Sequence, residues 1–401
     1  MPDRRVGIWL IGAFGGVGTT TAVGLAALAE GLTSTTGLVT ELPAFLGADF
    51  DAPATFTVGG HDIRQTTFAA AARELHERSN VFSAPLLAAI ESTLDTWSKN
   101  VRPGVIYHAN AAIAAMADRK DVRAAASPAA AIEQIQSDLR AFQREHRLDQ
   151  LVVVNVASTE PPFELAEIHH SLAKLKAALA KDAAELPTSS LYAYAAIDAE
   201  YPYVNLTPSR GATMPALEEL AIEEGVPTCG QDAKTGETLM KSVLAPLFAR
   251  RNLRVLSWVG HNILGNRDGQ VLTDPQNKAS KVKSKDALVA ELLGYKPQTI
   301  VSIEYVPSLD DWKTAWDHIH YEGFLGTKMT LQFTWQGCDS ILAAPLVIDL
   351  ARLALRAQRR GEKGNLPALA CFFKSPIGAI DHDFGRQFEM LETYLATDQH
   401  E

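Results

Sequence analysis

Four lysines fall within eight positions of TDPQNKASKVKSKDAL (residues 273–288): Lys278, Lys281, Lys283 and Lys285. Lys281 and Lys285 are four apart, so they share a face if the stretch begins a helix, with Ser280 and Ser284 repeating in phase. Two ammonium groups on one face suit a phosphate or a developing oxyanion; the plain alternative is a charged tip held in water. GQDAKTGETLMKS (230–242) sets Asp232 and Lys234 just before Thr235, Gly236 and Glu237 at an expected helix start. Free N–H groups and a hydroxyl there make a ready phosphate site, although Thr235 serves equally well as a simple N-cap. GHNILGNRDGQVL (260–272), which contains Asn266 and Asp268, has the composition of an ordinary turn after a strand.

A different chemistry is written near the start of the chain. Gly12-Ala-Phe-Gly15-Gly16-Val17-Gly18 follows the apolar run VGIWLI and opens a segment with helical apolar spacing. Phe14 stands where the second glycine of GxGxxG would be, so the pattern is a GxxGxxG relative. Strand, glycine turn and helix together predict a dinucleotide, its pyrophosphate on the backbone and on the helix N-terminus. The acid that would hold the adenosine ribose is left open among Asp49, Asp51 and Asp62. No GxxxxGK[ST] occurs, which disfavours a P-loop nucleotide hydrolase.

The elements that must position these groups alternate. Runs at 151–158 and 191–197 read as buried strands, with a helix between them after the prolines of PPFELAEIHH. The expected fold class is α/β, a Rossmann-type doubly wound parallel sheet. From about Thr235 the texture changes: a helix, then strands at RVLSWVG, 299–307 and 328–337, whose partial alternation suggests a sheet with one covered face. DDWKTAWDHIHY reads as helix, 340–361 as a long apolar helix with a basic end, and the stretch up to Lys374 as one more strand. His261, His318, His320 and His382 could be imagined as a metal set, but HIH shares a face only in a strand, so no metal is expected.

With 401 residues, 47% of them hydrophobic, there is material for two domains or one domain with an insertion. A net charge of −10 makes the lysine cluster a local exception and argues against a general nucleic-acid binder. Cys229, Cys338 and Cys371 form no CxxC, which argues against a disulfide framework and a structural zinc site and fits a reducing cytoplasm. No run is apolar enough for a membrane span, and the N-terminal run has no signal-peptide cleavage site.

Taken in order, GQDAKTGET, GNRDG (265–269), SKVKSK (280–285) and CDSILAAPLVIDL (338–350) resemble the inositol-phosphate synthases, NAD-dependent enzymes that cyclise glucose 6-phosphate to inositol 1-phosphate, equivalently 3-phosphate. The resemblance also takes in GGHDI (59–63), VASTE (156–160) and FFKSP (372–376). It implies a Rossmann-type NAD domain over 1–238, an inserted α+β catalytic and tetramerising domain over 239–342, and a return of 343–401 to the first domain, in a homotetramer. It implies catalytic roles for Lys281, Lys285, Lys313, Lys374, Asp232 and Asp268. NAD would lie against Gly12, Gly15, Gly16, Val17, Gly18, Asp62, Ala157, Thr159, Asp232 and Asp339. The substrate phosphate would lie against Thr235, Gly236, Asn266 and Lys285.

In the implied reaction C5 is oxidised, C6 is deprotonated, the enolate closes onto C1, and the ketone is reduced again, so NAD is not consumed. Lys281 and Lys374 would move protons and polarise the C5 oxygen, Lys313 would stabilise the C1 oxyanion, and Lys285 would hold the phosphate. The chain departs from the pattern at Gly16 and Val17, where many relatives carry two asparagines, and at Arg267 and 277–279. It departs again at Glu237, where the family has glutamine. A carboxylate at that point repels a phosphate dianion unless it turns away or is paired. Three rivals stay open: a paralogue acting on another sugar phosphate, an ordinary NAD(P)-dependent oxidoreductase, and a non-catalytic sensor.

Overall fold

The computed structural model describes residues 4–107, 111–266, 269, 288–378 and 381–396. In chain order the first elements are β1 (Val6–Ile11), α1 (Gly16–Ala29), β2 (Phe56–Asp62), α2 (Phe68–Ser79), α3 (Ala84–Ser98), β3 (Val101–Pro103), β4 (Val105–Ile106), α4 (Ala111–Ala115) and β5 (Arg123–Ala124). Next come α5 (Pro128–His146), β6 (Gln150–Asn155), α6 (Leu172–Leu179), α7 (Thr188–Asp198), β7 (Tyr203–Asn205), α8 (Pro215–Glu223) and β8 (Pro227–Gly230). The remainder supplies α9 (Gly236–Arg250), β9 (Arg254–Leu264), β10 (Gln298–Tyr305), β11 (Trp312–Glu322), β12 (Lys328–Cys338), α10 (Asp339–Arg359), β13 (Gly364–Asn365) and α11 (Phe384–Ala396).

The larger sheet has the order β13-β8-β7-β6-β1-β2-β3 and every pairing in it is parallel. Its strands are apolar without alternation because both faces are covered. Along β1, Ile8 and Leu10 join a core with α1, α2, α3, α10 and α11, while Trp9 and Ile11 join one with α5 to α8. This is the doubly wound α/β arrangement. Strand order reverses between β1 and β6, which opens a crevice at their carboxyl ends.

A second, four-stranded sheet has the order β10-β9-β11-β12, with β10 parallel to β9 and β11 antiparallel to both neighbours. α9 covers one face through Ala245 and Phe248 against Val255, Trp258 and Ile319. The other face leaves Ile300 and Trp316 exposed beside His261 and His318.

Three sequence expectations about elements are corrected. Residues 191–197 form the core of α7, not a strand. Every residue from Leu191 to Ile197 is buried, and a short apolar run without polar breaks cannot be told from a buried strand by periodicity. DDWKTAWDHIHY is the strand β11, whose Trp316, Asp317, His318 and Ile319 alternate exposed and buried, as aromatic and β-branched residues on a half-covered sheet do. The stretch before Lys374 is a 3-10 helix (Pro367–Phe372), joined to Ala233 by a single antiparallel bridge from Phe373. No described helix is long and apolar enough to cross a membrane.

Candidate active site

A cleft of about 650 Å³ occupies the crevice and extends beneath the second sheet. One end is built by the glycine turn. The amides of Gly12 and Ala13 donate to the His61 carbonyl at 2.9 and 3.2 Å, which ties the turn to the end of β2. Gly12 has φ 86°, and a Cβ there would stand 2.9 Å from the Ala157 Cα, so the turn lies directly against the segment after β6. α1 begins at Gly16 with no side-chain cap, leaving its first-turn N–H groups available to an anion.

Asp62 closes this end. Its two carboxylate oxygens accept from the amides of Phe14 (2.7 Å) and Arg64 (2.8 Å). Burial pushes its carboxyl above the usual range, opposed by those donors. Asp49 and Asp51, the other candidates for the ribose acid, are held instead by Arg4 and Arg359 and do not line the cleft. Gly15, Gly16, Val17, Ala157 and Thr159 line it with Gly12 and Asp62. Gly18 does not: a Cβ there would lie 2.4 Å from the Ala13 carbonyl oxygen, so its smallness serves packing behind the turn. A close-packed glycine turn, an uncapped helix N-terminus and a buried acid at the next strand end fit a dinucleotide.

The other end is assembled from four segments. Residues 231–234 run beside 372–375: the Lys374 amide donates to the Asp232 carbonyl (2.7 Å), the Lys234 amide to that of Phe372 (2.8 Å), and Gln231 and Ser375 exchange bonds. This pairing sets the Lys374 ammonium 2.9 Å from the Asp232 carboxylate. Across the cleft, Asp339 at the start of α10 gathers Lys313 of β11 (3.9 Å) and the Asn266 amide (3.2 Å). Thr235 lines the cleft at the N-terminus of α9 without capping it; Gly236 is buried behind it, off the wall. Asp232, Asn266, Lys313, Asp339 and Lys374 thus share one cleft with the glycine turn. Asp268, Lys281 and Lys285 lie outside the described residues.

Sequence reading missed some of the wall. Asp311 is buried beside the glycine turn, accepting from the Ser340 amide (3.0 Å) and the Cys338 thiol (2.8 Å). Burial raises its carboxyl, and pushes the Cys338 thiol up to about 12. A Cβ at Gly16 would lie 2.5 Å from the Ser340 Oγ, so the glycine leaves room for this corner. Strand alternation in DDWKTAWD was the signal that could have found Asp311. Arg64, which donates to the Phe14 carbonyl (2.7 Å) and pairs with Glu74, was likewise unread.

The expectation that His318 and His320 lie on a helix is corrected by β11. Because the segment is a strand, His318 and His320 do share a face; His382 pairs with Glu291 at 3.2 Å and His261 bonds Ser302. Among the described residues no group of three or more His, Cys, Asp or Glu side chains could hold a metal ion.

Lys234 turns away from the cleft. It is buried, donates to Gln387 of α11 and lies 6.0 Å from the Phe384 ring. Burial lowers its pKa from 10.5 to about 8. As pH rises from about 8 to 10.5 the native state loses this proton while the unfolded chain still binds it, so native stability rises across that window. Melting curves of wild type and Lys234→Met should therefore separate progressively in favour of wild type between those pH values; parallel pH profiles would contradict the assignment.

The family described as myo-inositol-1-phosphate synthase matches residues 6–396. The chain is 33% identical over 417 aligned positions to inositol-3-phosphate synthase 1 of Bacteroides thetaiotaomicron, covering 98% of this chain and 95% of that protein. It is 30% identical to inositol-3-phosphate synthase of Dictyostelium discoideum, covering 87% and 74%. The crystal structure of inositol-3-phosphate synthase from Caenorhabditis elegans superposes with a TM-score of 0.88 at 25% identity, covering 98% of this chain and 85% of that one. With the crevice, the glycine turn and the lysine-carboxylate pairs in one cleft, the chain belongs to the myo-inositol-1-phosphate synthase family.

Proposed function

We propose that the protein converts D-glucose 6-phosphate to 1D-myo-inositol 3-phosphate with no net redox change. The observation that carries this reading is the single cleft that joins a dinucleotide cradle to two lysine-carboxylate pairs. Bound at Gly12, Gly15, Gly16, Val17 and Asp62, NAD would supply the hydride acceptor and donor that oxidation at C5 and the final reduction require.

The chain's own groups do the rest. Lys374, held by Asp232, polarises the C5 oxygen and moves its proton, with Lys281 as second ammonium. Lys313, held by Asp339, offsets negative charge on the C1 oxygen as the ring closes. Thr235, Asn266 and Lys285 hold the phosphate, where the α9 N-terminus favours an anion, and Asp268 offsets the local positive charge. Residues 1–238 with 343–401 hold the cofactor and also bring Asp232, Thr235 and Lys374 to the substrate end, and 239–342 supply the remaining catalytic groups. The exposed face of the second sheet, with Ile300 and Trp316, is the surface we assign to a homotetramer.

Incubation with glucose 6-phosphate and NAD should yield a cyclitol phosphate identifiable by NMR, with no net change in nicotinamide absorbance. Accumulating NADH would indicate an ordinary oxidoreductase. Folded, NAD-bound protein that makes no cyclitol phosphate would point to another sugar phosphate.

A further inference from the structure

α9 and the second sheet meet in a buried charged cluster just behind the substrate end of the cleft. Along β9, Trp258, Gly260 and Asn262 fall on one face, with Ile319, Asp317 and Ala315 of β11 opposite them in register. Glu237 and Lys241, four apart on α9, lie on that face, and their side chains pair at 2.6 Å while 1% and 2% exposed. Gly260 makes the space: a Cβ there would stand 2.4 Å from a Glu237 oxygen, 3.2 Å from Asp317 and 3.4 Å from the Lys241 nitrogen. The other Glu237 oxygen accepts from the Asn262 amide nitrogen at 2.8 Å. Asn262 lines the cleft together with Thr235 and Asn266, whereas Glu237 does not.

A carboxylate beside an ammonium only accepts hydrogen bonds, so the edge of Asn262 that faces it must be the NH2 edge. The carboxamide oxygen is thereby turned the other way. We propose that Glu237 is a positioning residue: with Lys241 as its buried counter-ion it fixes the Asn262 carboxamide, so that the cleft wall presents an acceptor to a sugar hydroxyl. Glu237 is not a phosphate contact, which removes the conflict that a carboxylate beside the phosphate turn would otherwise create. A glutamine paired with Asn262 would fix that orientation far less firmly, since either amide can then donate and only the long 3.5 Å contact of the Asn262 nitrogen with the Ser302 carbonyl still favours it. This inference rests on the sugar-phosphate reading above.

The test separates orientation from packing. Glu237→Gln leaves an ammonium buried without its partner, so the melting temperature falls by about 5 °C. KM for glucose 6-phosphate rises about threefold to tenfold, the loss of one neutral hydrogen bond, with kcat nearly unchanged. Glu237→Gln/Lys241→Met removes both charges: the melting temperature recovers, but KM stays raised because the orientation is then held only by the long Ser302 contact. Recovery of KM together with stability would reduce Glu237 to a purely structural role and overturn the proposal, as would an unchanged KM in Glu237→Gln. Inorganic phosphate is the second probe. Its affinity stays within about twofold in Glu237→Gln if the carboxylate is turned away; tightening of about tenfold or more would place Glu237 on the phosphate and overturn the assignment. Absence of cyclitol phosphate from wild type would sink the functional reading alone, because the phosphate and melting arms still decide the place of Glu237.

Discussion

Lys374→Ala is expected to lower kcat by about a hundredfold to a thousandfold, the usual effect of removing one preorganised charge partner of a developing oxyanion. The ammonium is fixed by short-range geometry. Asp232, with φ 63°, sends its amide to the Thr207 carbonyl (3.1 Å) and receives the Lys374 amide on its own carbonyl (2.7 Å). The two side chains then meet at 2.9 Å without a long loop having to be ordered. Their pair is partly exposed, so its loss changes stability by about 1 kcal/mol or less, and the fold should survive. NAD affinity should survive as well, because the glycine turn is built from other segments. Lys374→Arg sharpens the test: arginine keeps the charge but does not release a proton at accessible pH. Partial rescue by arginine assigns the role to electrostatics, and no rescue assigns it to proton transfer. Initial rates at saturating NAD, a melting curve and an NAD titration make the measurement; an alanine variant with wild-type kcat would remove Lys374 from the mechanism.

The sequence disclosed the cofactor end more fully than the substrate end, for a physical reason. The glycine turn and its strand are contiguous, so Gly12 to Val17 could be read as one unit, and β1 carries burial on both faces in its composition. Asp62 could be singled out only by three-dimensional pairing, because Asp49 and Asp51 are equally plausible until Arg4 and Arg359 are seen to hold them. At the substrate end, Lys313 and Asp339 come from different elements and meet only in the fold. Their motifs were visible through resemblance, but the strand that carries Lys313 was read as helix because its charged ends masked a period of two. α7 failed in the opposite sense: alanine and tyrosine packed on all sides leave no polar stripe to reveal a helical period. The Glu237 pairing was legible as a question only. Its i,i+4 lysine was in plain view, but the glycine that admits both groups lies in β9, over twenty residues downstream.

Gly12→Ala should damage cofactor binding strongly. At φ 86° an alanine is strained by about 1–2 kcal/mol. Its Cβ would also lie 2.9 Å from the Cα and 3.1 Å from the amide nitrogen of Ala157, backbone atoms that no rotamer change can move. Relief requires the turn to shift away from the segment after β6, and two anchors resist that shift: the amides of Gly12 and Ala13 on the His61 carbonyl. Either the anchors stretch or the crevice widens where the pyrophosphate would sit. Since the close approach of backbone to phosphate is what the glycine provides, NAD affinity should fall by about tenfold or more, while inorganic phosphate, a probe of the far end of the cleft, binds as before. Titration of both ligands into the same preparation checks the separation. Equal loss of both would mean that the variant has disturbed the whole crevice, and unchanged NAD affinity would mean that the dinucleotide does not lie on this turn.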